Sequence, residues 1–498
     1  MSAEASFAQV GMWITERMGR AGSAYHMPVL IRMDGALDAC ALIQACQAVI
    51  RRHPVLSSAI VEDDDGLPVE VWGTHPEIRV TTSDDLDALV LEETLRPFDV
   101  ERGPLARFTL VRLAPERHVL VFVAHHLVFD GESKDVFVRD LAAFYDGRTL
   151  PRLTMPYAGF AADERVRVGD ELGAAREFWR SRWREPGDVI VRGLPEQRSG
   201  LPEVGTGAPR RGAAFGRAYT FRAELPDISD ISRFELFLAC VQALLYSYGN
   251  VEPVCAVDVS TRTQAVRDNI GLFVNELPVA SRPSPDMSVV DLARWLRGEL
   301  REIYRFRAVP VARAVRGLRP RTALAPVSVS YRKRREEPGF AGLRTRVDWA
   351  VFNHAVRSLL HFQAVDTPDG LFVTMQYGSD SGSPDEIPEV ARIAEDLLTI
   401  MKNPDSSVSL DLRSENDATP DLADAIREIW QEVLGIDEIG DDEDLFDLGG
   451  HSLTITQIIA RMRKRLGIEV SLDVFFDTPT IAGVVTAVRD SEPAVSTT

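Results

Sequence analysis

Two short stretches of this sequence gather side chains capable of chemistry. The first runs His125-His126-Leu127-Val128-Phe129-Asp130-Gly131-Glu132-Ser133 and holds two adjacent imidazoles, a carboxylate, a glycine and a hydroxyl. Imidazole has an ordinary pKa near 6.5, so it can take up or release a proton near neutrality. Neighbours on an extended chain point to opposite sides, so one imidazole faces a given cavity and the other packs inward. A metal would need further ligands that this spacing does not supply. A histidine beside a strand also serves as a hydrogen-bonded structural residue, and residue types alone leave both roles open. The second stretch, Asp444 to Leu453, reads DLFDLGGHSL. Its paired glycines let the backbone approach a partner closely, and His451 then leads into a helix opening at Ser452. A serine there is either a simple N-cap or an exposed hydroxyl at a helix N-terminus.

The elements that must position these residues follow from periodicity. The run HVLVFVA, His118 to Ala124, reads as a buried strand leading into the histidines, and Lys134 to Tyr145 reads as an amphipathic helix. Strands and helices alternate irregularly from Ser6 to about Leu412, an α/β pattern. The Gly-, Pro- and Arg-rich stretch Gly193 to Gly216 reads as a long surface connection between two halves, residues 1–180 and 181–412. A polar, proline-bounded break from Asn403 to Pro420 marks a domain boundary, with a linker at 413–420. Beyond it, Leu422, Ile426, Ile429 and Val433 keep helical spacing, as do Ile455, Ile459, Met462 and Leu466. Basic Arg461 to Arg465 and then Gly467 suit the end of that second helix. Pro479 is expected to open a last short helix, giving a small bundle over 421–490 and a frayed tail at 491–498.

Composition narrows the function. A chain of 498 residues with 45% hydrophobic content needs more than one core. A net charge of -19 opposes binding to a phosphate backbone, so no nucleic-acid partner is expected. Glu4, Gln9 and Glu16 interrupt the N-terminal apolar residues, and no later run is long enough for a membrane helix, so a cytoplasmic protein without a membrane partner is expected. Cys40, Cys46, Cys240 and Cys255 lack CxxC spacing and read as reduced, buried thiols. Asp437, Glu438 and Asp441 to Asp444 read as a solvated acidic surface, and Glu132 as an ordinary first-turn glutamate.

The stretch from Leu422 to Val488, with LFDLG, GGHSL and VFFDTPTIAGVV, resembles the peptidyl carrier domains of nonribosomal peptide synthetases. The resemblance implies a four-helix bundle whose Ser452, flanked by Gly450 and His451, carries a covalent 4'-phosphopantetheine. The histidine stretch resembles the HHxxxDG motif of the condensation domains of those synthetases. In the same order come Ser6-Phe7-Ala8-Gln9 through Trp13, Arg52-His53-Pro54-Val55-Leu56, Arg96-Pro97-Phe98-Asp99, Ser260-Thr261-Arg262 and Ile270-Gly271-Leu272-Phe273-Val274-Asn275. That likeness covers nearly all of 6–412 and implies two chloramphenicol-acetyltransferase-like lobes forming a V around a tunnel. It implies that His126, beside His125, is the catalytic imidazole and that Asp130 pairs with Arg262. Gly131 is implied to leave room beside the reacting thioester, with Ser133 and Asn275 supporting the site.

The resemblance further implies amide formation between an acyl group brought by a partner carrier and an aminoacyl group on Ser452. No adenylating domain fits between the two regions, and no GxxxxGK[ST] loop or GxSxG elbow is present. The expected partners are therefore a trans-acting adenylation enzyme, an upstream donor carrier, a phosphopantetheinyl transferase and a downstream synthetase or releasing enzyme. The sequence departs from the family pattern at Gly11-Met12 and at Pro310 to Val315. An ester-forming or epimerization variant, and a non-catalytic recruiting platform with a functional carrier, remain alternatives.

Overall fold

The computed structural model describes residues 2–491 except 20, 192–193, 195–215, 319–320, 335, 379–385, 409–421, 437–438, 451, 467 and 469. Most of the expected 193–216 connection, the 413–420 linker and all of the expected 491–498 tail but Ser491, which ends a helix, thus lie outside the described residues. The chain divides into two compact units, Met1–Leu410 and Asp411–Thr498.

Two sheets organise the larger unit. The first has the order Arg344–Asp348, His26–Asp34, Arg117–His125, Ala106–Ala114, Ile78–Thr82. Its pairs are antiparallel except the last, which is parallel. Alternation of Val, Leu and Phe along Arg117–His125 fits a strand covered on both faces. On one face Phe108 and Phe122 meet Phe129 and Phe137 of the following loop and helix, with the Phe122 and Phe137 rings stacked at 4.1 Å. That helix spans Gly131–Tyr145, three residues longer than its apolar period announces, because the Asp130 side chain caps it by accepting from Ser133 N. The helix Ala39–Arg52 packs beside it.

The second sheet has the order Val274–Ala280, Val254–Ser260, Val327–Lys333, Leu360–Thr367, Gly370–Gly378, Gly216–Ala223. The helices Arg233–Ser247, Val289–Tyr304 and Glu386–Lys402 cover it, the first of them apolar nearly all round and buried accordingly. The strand Arg344–Asp348 comes from the second half of the unit yet pairs antiparallel with His26–Asp34 of the first sheet. The division near residue 180 therefore describes chain order better than strand pairing. Cys46, Cys240 and Cys255 are buried as expected, but Cys40 is exposed, because it sits on the outer face at the start of its helix.

The smaller unit contains the helices Leu422–Leu434, Ser452–Leu466, Leu472–Asp477 and Ile481–Ser491. Ile426, Ile429 and Trp430 meet Ile455, Ile458, Met462, Phe475, Ile481 and Val484 in a closed core. The last helix starts after Thr480 rather than at Pro479: the Thr480 hydroxyl accepts from Gly483 N, while the Pro479 carbonyl accepts from Leu445 N. Gly449 has φ +89°, a conformation that side chains with a Cβ rarely adopt. A Cβ on Gly450 would lie 2.6 Å from both the Leu445 carbonyl oxygen and its Cγ.

Gly450→Ala is expected to cost the smaller unit about 1–3 kcal/mol through this overpacking. Hydrogen exchange on the full chain should show faster exchange in 422–434 and 452–466 with the larger unit unchanged.

Candidate active site

The histidine loop begins where the strand Arg117–His125 ends, and the two rings part as the extended backbone requires. His125 is buried; its Nε2–H donates to Glu16 Oε1 at 3.0 Å, and its Nδ1 accepts from Leu127 N at 3.1 Å. His126 begins a single helical turn, and its Nδ1–H donates to the Phe129 carbonyl at 2.8 Å. The neighbouring imidazoles are thus held in opposite tautomers. His126 keeps its Nε2 lone pair free of these bonds and lines a cavity of about 480 Å³. Burial, then the positive Arg357, brings the His126 imidazole down to about 4, against smaller upward pulls from Asp130 and the Phe129 carbonyl. The ring is neutral at physiological pH.

Asp130 anchors the loop. Its Oδ1 accepts from Ser133 N at 2.7 Å, Ser133 Oγ at 2.7 Å and Arg262 Nη2 at 2.8 Å, and its Oδ2 accepts from Phe273 N at 3.0 Å. Burial alone would raise this carboxyl, but Arg262 and the Ser133 donors hold it below the usual carboxylate range. Arg262 also donates from Nη1 to the carbonyls of Val266 and Asn269 and lies over the Phe273 ring. Its Nε stands 3.4 Å from Glu132 Oε2, so Glu132, in the first turn of its helix, adds to the network.

The segment Ile270 to Phe273 straps across this network. Gly271 N donates to Ser133 Oγ, and Ile270 N donates to His53 Nδ1, while His53 Nε2–H donates to Asp140 Oδ2 at 2.9 Å. The first helix, Phe7–Arg17, braces the other side. Ser6 and Gln9 form a reciprocal capping box, and Gln9 Nε2 donates to the Leu127 carbonyl at 3.0 Å. Tyr157 O–H donates to the Leu272 carbonyl and meets the Ser6 hydroxyl at 2.9 Å.

The structure thus gathers His125, His126, Asp130, Gly131, Ser133 and Arg262 in one place. Asn275 stands apart and corrects its expected role: its amide donates to the carbonyls of Arg307 and Val309, because its strand has by then left the strap. The room expected at Gly131 is held by Arg332, whose Nη1 lies 2.8 Å from where a Cβ would stand. Gln9 and Glu16 position the loop, a role the motifs do not single out. The S-x-x-Q spacing from Ser6 to Gln9 is the available signal, but its target 118 residues away is not legible from it.

Ser452, in the other unit, is the first residue of the helix Ser452–Leu466, whose last turn carries Arg463, Lys464 and Arg465. His451 lies outside the described residues. The site fits a covalent phosphodiester: serine supplies the hydroxyl, a helix N-terminus favours a phosphate, and Gly449 and Gly450 precede it in the loop.

Removing Asp130 strands a buried guanidinium and loosens the strap, so Asp130→Ala is expected to cost about 3–5 kcal/mol. A carboxyl held below its unfolded value stabilises above about pH 4 and loses that contribution as pH falls through its folded value. Urea unfolding of the full chain at several pH values should show the wild-type acid dependence reduced in the variant.

Known proteins show the same two parts. The family model of the Condensation domain matches residues 2–419, and that of the Phosphopantetheine attachment site matches residues 424–488. A linear gramicidin synthase polypeptide of Brevibacillus parabrevis is 26% identical over 404 residues, covering 75% of this chain and 8% of the relative. Tyrocidine synthase 3 of the same organism is 25% identical over 418 residues, covering 80% of this chain and 6% of the relative. This chain therefore spans only a small part of the length of these relatives. The starter condensation domain of rhizomide synthetase RzmA, a mutant in complex with C8-CoA, superposes with a TM-score of 0.69 at 17% identity, over 82% of this chain and 97% of that one. The X-domain from teicoplanin biosynthesis gives 0.65 at 23% identity, over 82% and 96%. These structural likenesses are of fold. Condensation domains form amide bonds, and together with carrier domains they work with other synthetase modules and carrier proteins. The chain belongs to the condensation-domain family and carries, directly after that domain, the carrier domain to which phosphopantetheine is attached.

Proposed function

We propose that this chain forms an amide bond between an acyl thioester delivered by a partner carrier and an aminoacyl group held on its own carrier at Ser452. The observation that carries the reading is His126: a neutral imidazole with Nδ1–H fixed on the Phe129 carbonyl and Nε2 open to the cavity. Bound at Ser452, the phosphopantetheine arm supplies a terminal thiol that carries the amino acid as a thioester.

The role of His126 follows from its lowered pKa. A free α-amino group titrates at about 7.7–8.0, so a proton moves uphill from its ammonium form to an imidazole at about 4. The amine therefore enters neutral, and Nε2 accepts a hydrogen bond from it and aims its lone pair at the thioester carbonyl. As the C–N bond forms, the nitrogen becomes positively charged and far more acidic, and only then does Nε2 take its proton; the thioester C–S bond then breaks and that proton passes to the departing donor thiolate, which leaves as the thiol. His125 and Asp130 keep out of this transfer: the first is bonded to Glu16 and Leu127, and the second holds Arg262 and the strap.

The condensation match ends at residue 419 and the carrier match begins at 424, which leaves no room for an adenylating domain between them. The amino acid at Ser452 is then activated by a separate adenylation enzyme, after a phosphopantetheinyl transferase has modified the serine. A donor carrier acts before this chain and a synthetase or releasing enzyme after it. Among the described residues no helix is long and apolar enough to cross a membrane. Cytoplasmic action fits the thiol-keeping environment that Cys40, Cys46, Cys240 and Cys255 suit.

His126→Ala is expected to stay folded and lose about 10² to 10⁴ in the rate of amide formation. Full product from the folded variant would overturn the assignment. The rising limb of the wild-type pH–rate profile should follow the acceptor amine, moving when an acceptor of lower amine pKa is loaded; a limb that stays fixed whichever acceptor is loaded would overturn this order of events. Intact mass spectrometry after incubation with a phosphopantetheinyl transferase and coenzyme A should show one added arm, abolished by Ser452→Ala.

A further inference from the structure

One wall of the His126 cavity gathers three basic side chains. Lys134, Arg332 and Arg334 all line it, together with Trp349. Lys134 is buried and donates from Nζ to the carbonyls of Pro28 and Trp349 at 3.0 and 2.9 Å. Arg334, its side chain 5% exposed, stacks on Trp349 at 3.2 Å, and its Nε and Nη1 have no hydrogen-bond partner among the described residues. The carboxylate of Asp135 is shared between Arg332 Nη2 at 3.0 Å and Arg334 Nη1 at 3.7 Å. Glu337 accepts from the N–H groups of Val347 and Trp349. A buried guanidinium with open donors is costly unless an acceptor completes it, and this one sits in a chain of net charge -19.

We propose that this wall is a subsite for a carboxylate carried by the acyl or aminoacyl group that reacts at His126. The proposal rests on the reading of His126 given above. The open donors of Arg334 form charge-assisted bonds to the carboxylate, and Arg332 and Lys134 add to the field. The subsite lies beside the reacting centre, since Arg332 covers Gly131 at the start of the helix that follows the histidine loop. The phosphate of a pantetheine arm is separated from its thiol by many bonds, so an arm reaching His126 leaves its phosphate elsewhere. Burial, reinforced by Arg332 and Arg334, brings Lys134 down to about 7, and a docked anion would restore its charge.

The test measures binding to the full chain of two N-acetylcysteamine thioesters, succinyl and the uncharged butyryl, and compares 4'-phosphopantetheine with pantetheine. Succinyl should bind at least about tenfold more tightly than butyryl, with the preference weakened by salt and largely lost in Arg334→Gln. Equal affinities in the wild-type chain would overturn the subsite even if the variant fails to fold. A preference confined to the phosphate pair would overturn the carboxylate assignment. Repeating the measurement with His126→Ala separates the two readings: a retained succinyl preference with unimpaired amide formation removes the catalytic assignment but leaves the anion site standing.

Discussion

The buried pair of Asp130 and Arg262 is the constraint on which the larger unit's site depends. One carboxylate caps a helix, receives a guanidinium from the far half of the chain and accepts the Phe273 N–H of the strap. Taking two charges out of water is repaid only when such further bonds complete them, and here both partners are heavily bonded. The consequence is positional. His126 leaves its strand between this anchored carboxylate and the brace of Gln9 and Glu16, so its ring has little freedom, and its Nδ1 bond to Phe129 settles which nitrogen faces the cavity.

The same logic separates the two histidines. Equal in sequence terms, they differ in what surrounds them: His125 is closed off by a carboxylate and a backbone N–H, while His126 borders the open space shared by both sheets. The smaller unit solves a different problem. It presents Ser452 at a helix start, and the loop before it packs Leu445 against Gly450 and into the core of Trp430 and Phe475.

What could be read beforehand divides along physical lines. Local rules suffice for the strand before His125, for the helices around Ile426 and Ile455, and for Ser452 at a helix start, because period and capping are properties of neighbours. Resemblance to the condensation-domain motifs extends this to the Asp130–Arg262 pair. Contacts set by the packing of distant elements stay hidden: Gln9 on the Leu127 carbonyl, Arg332 in the space over Gly131, and the turning of Asn275 toward Arg307 and Val309. The exposure of Cys40 escapes composition for the same reason, since a helix's first turn has an outer face that only packing reveals.

The strand Arg344–Asp348 bears on how such a chain can be recombined. It leaves the second half to complete the first sheet along His26–Asp34, a strand rich in apolar side chains. A hybrid built by exchanging one half for that of another synthetase would have to match this seam residue by residue, or else leave an unsatisfied row of peptide groups on an apolar border that invites association between chains. The two halves are therefore one structural part. The natural point for shuffling lies past the larger unit, between it and the carrier.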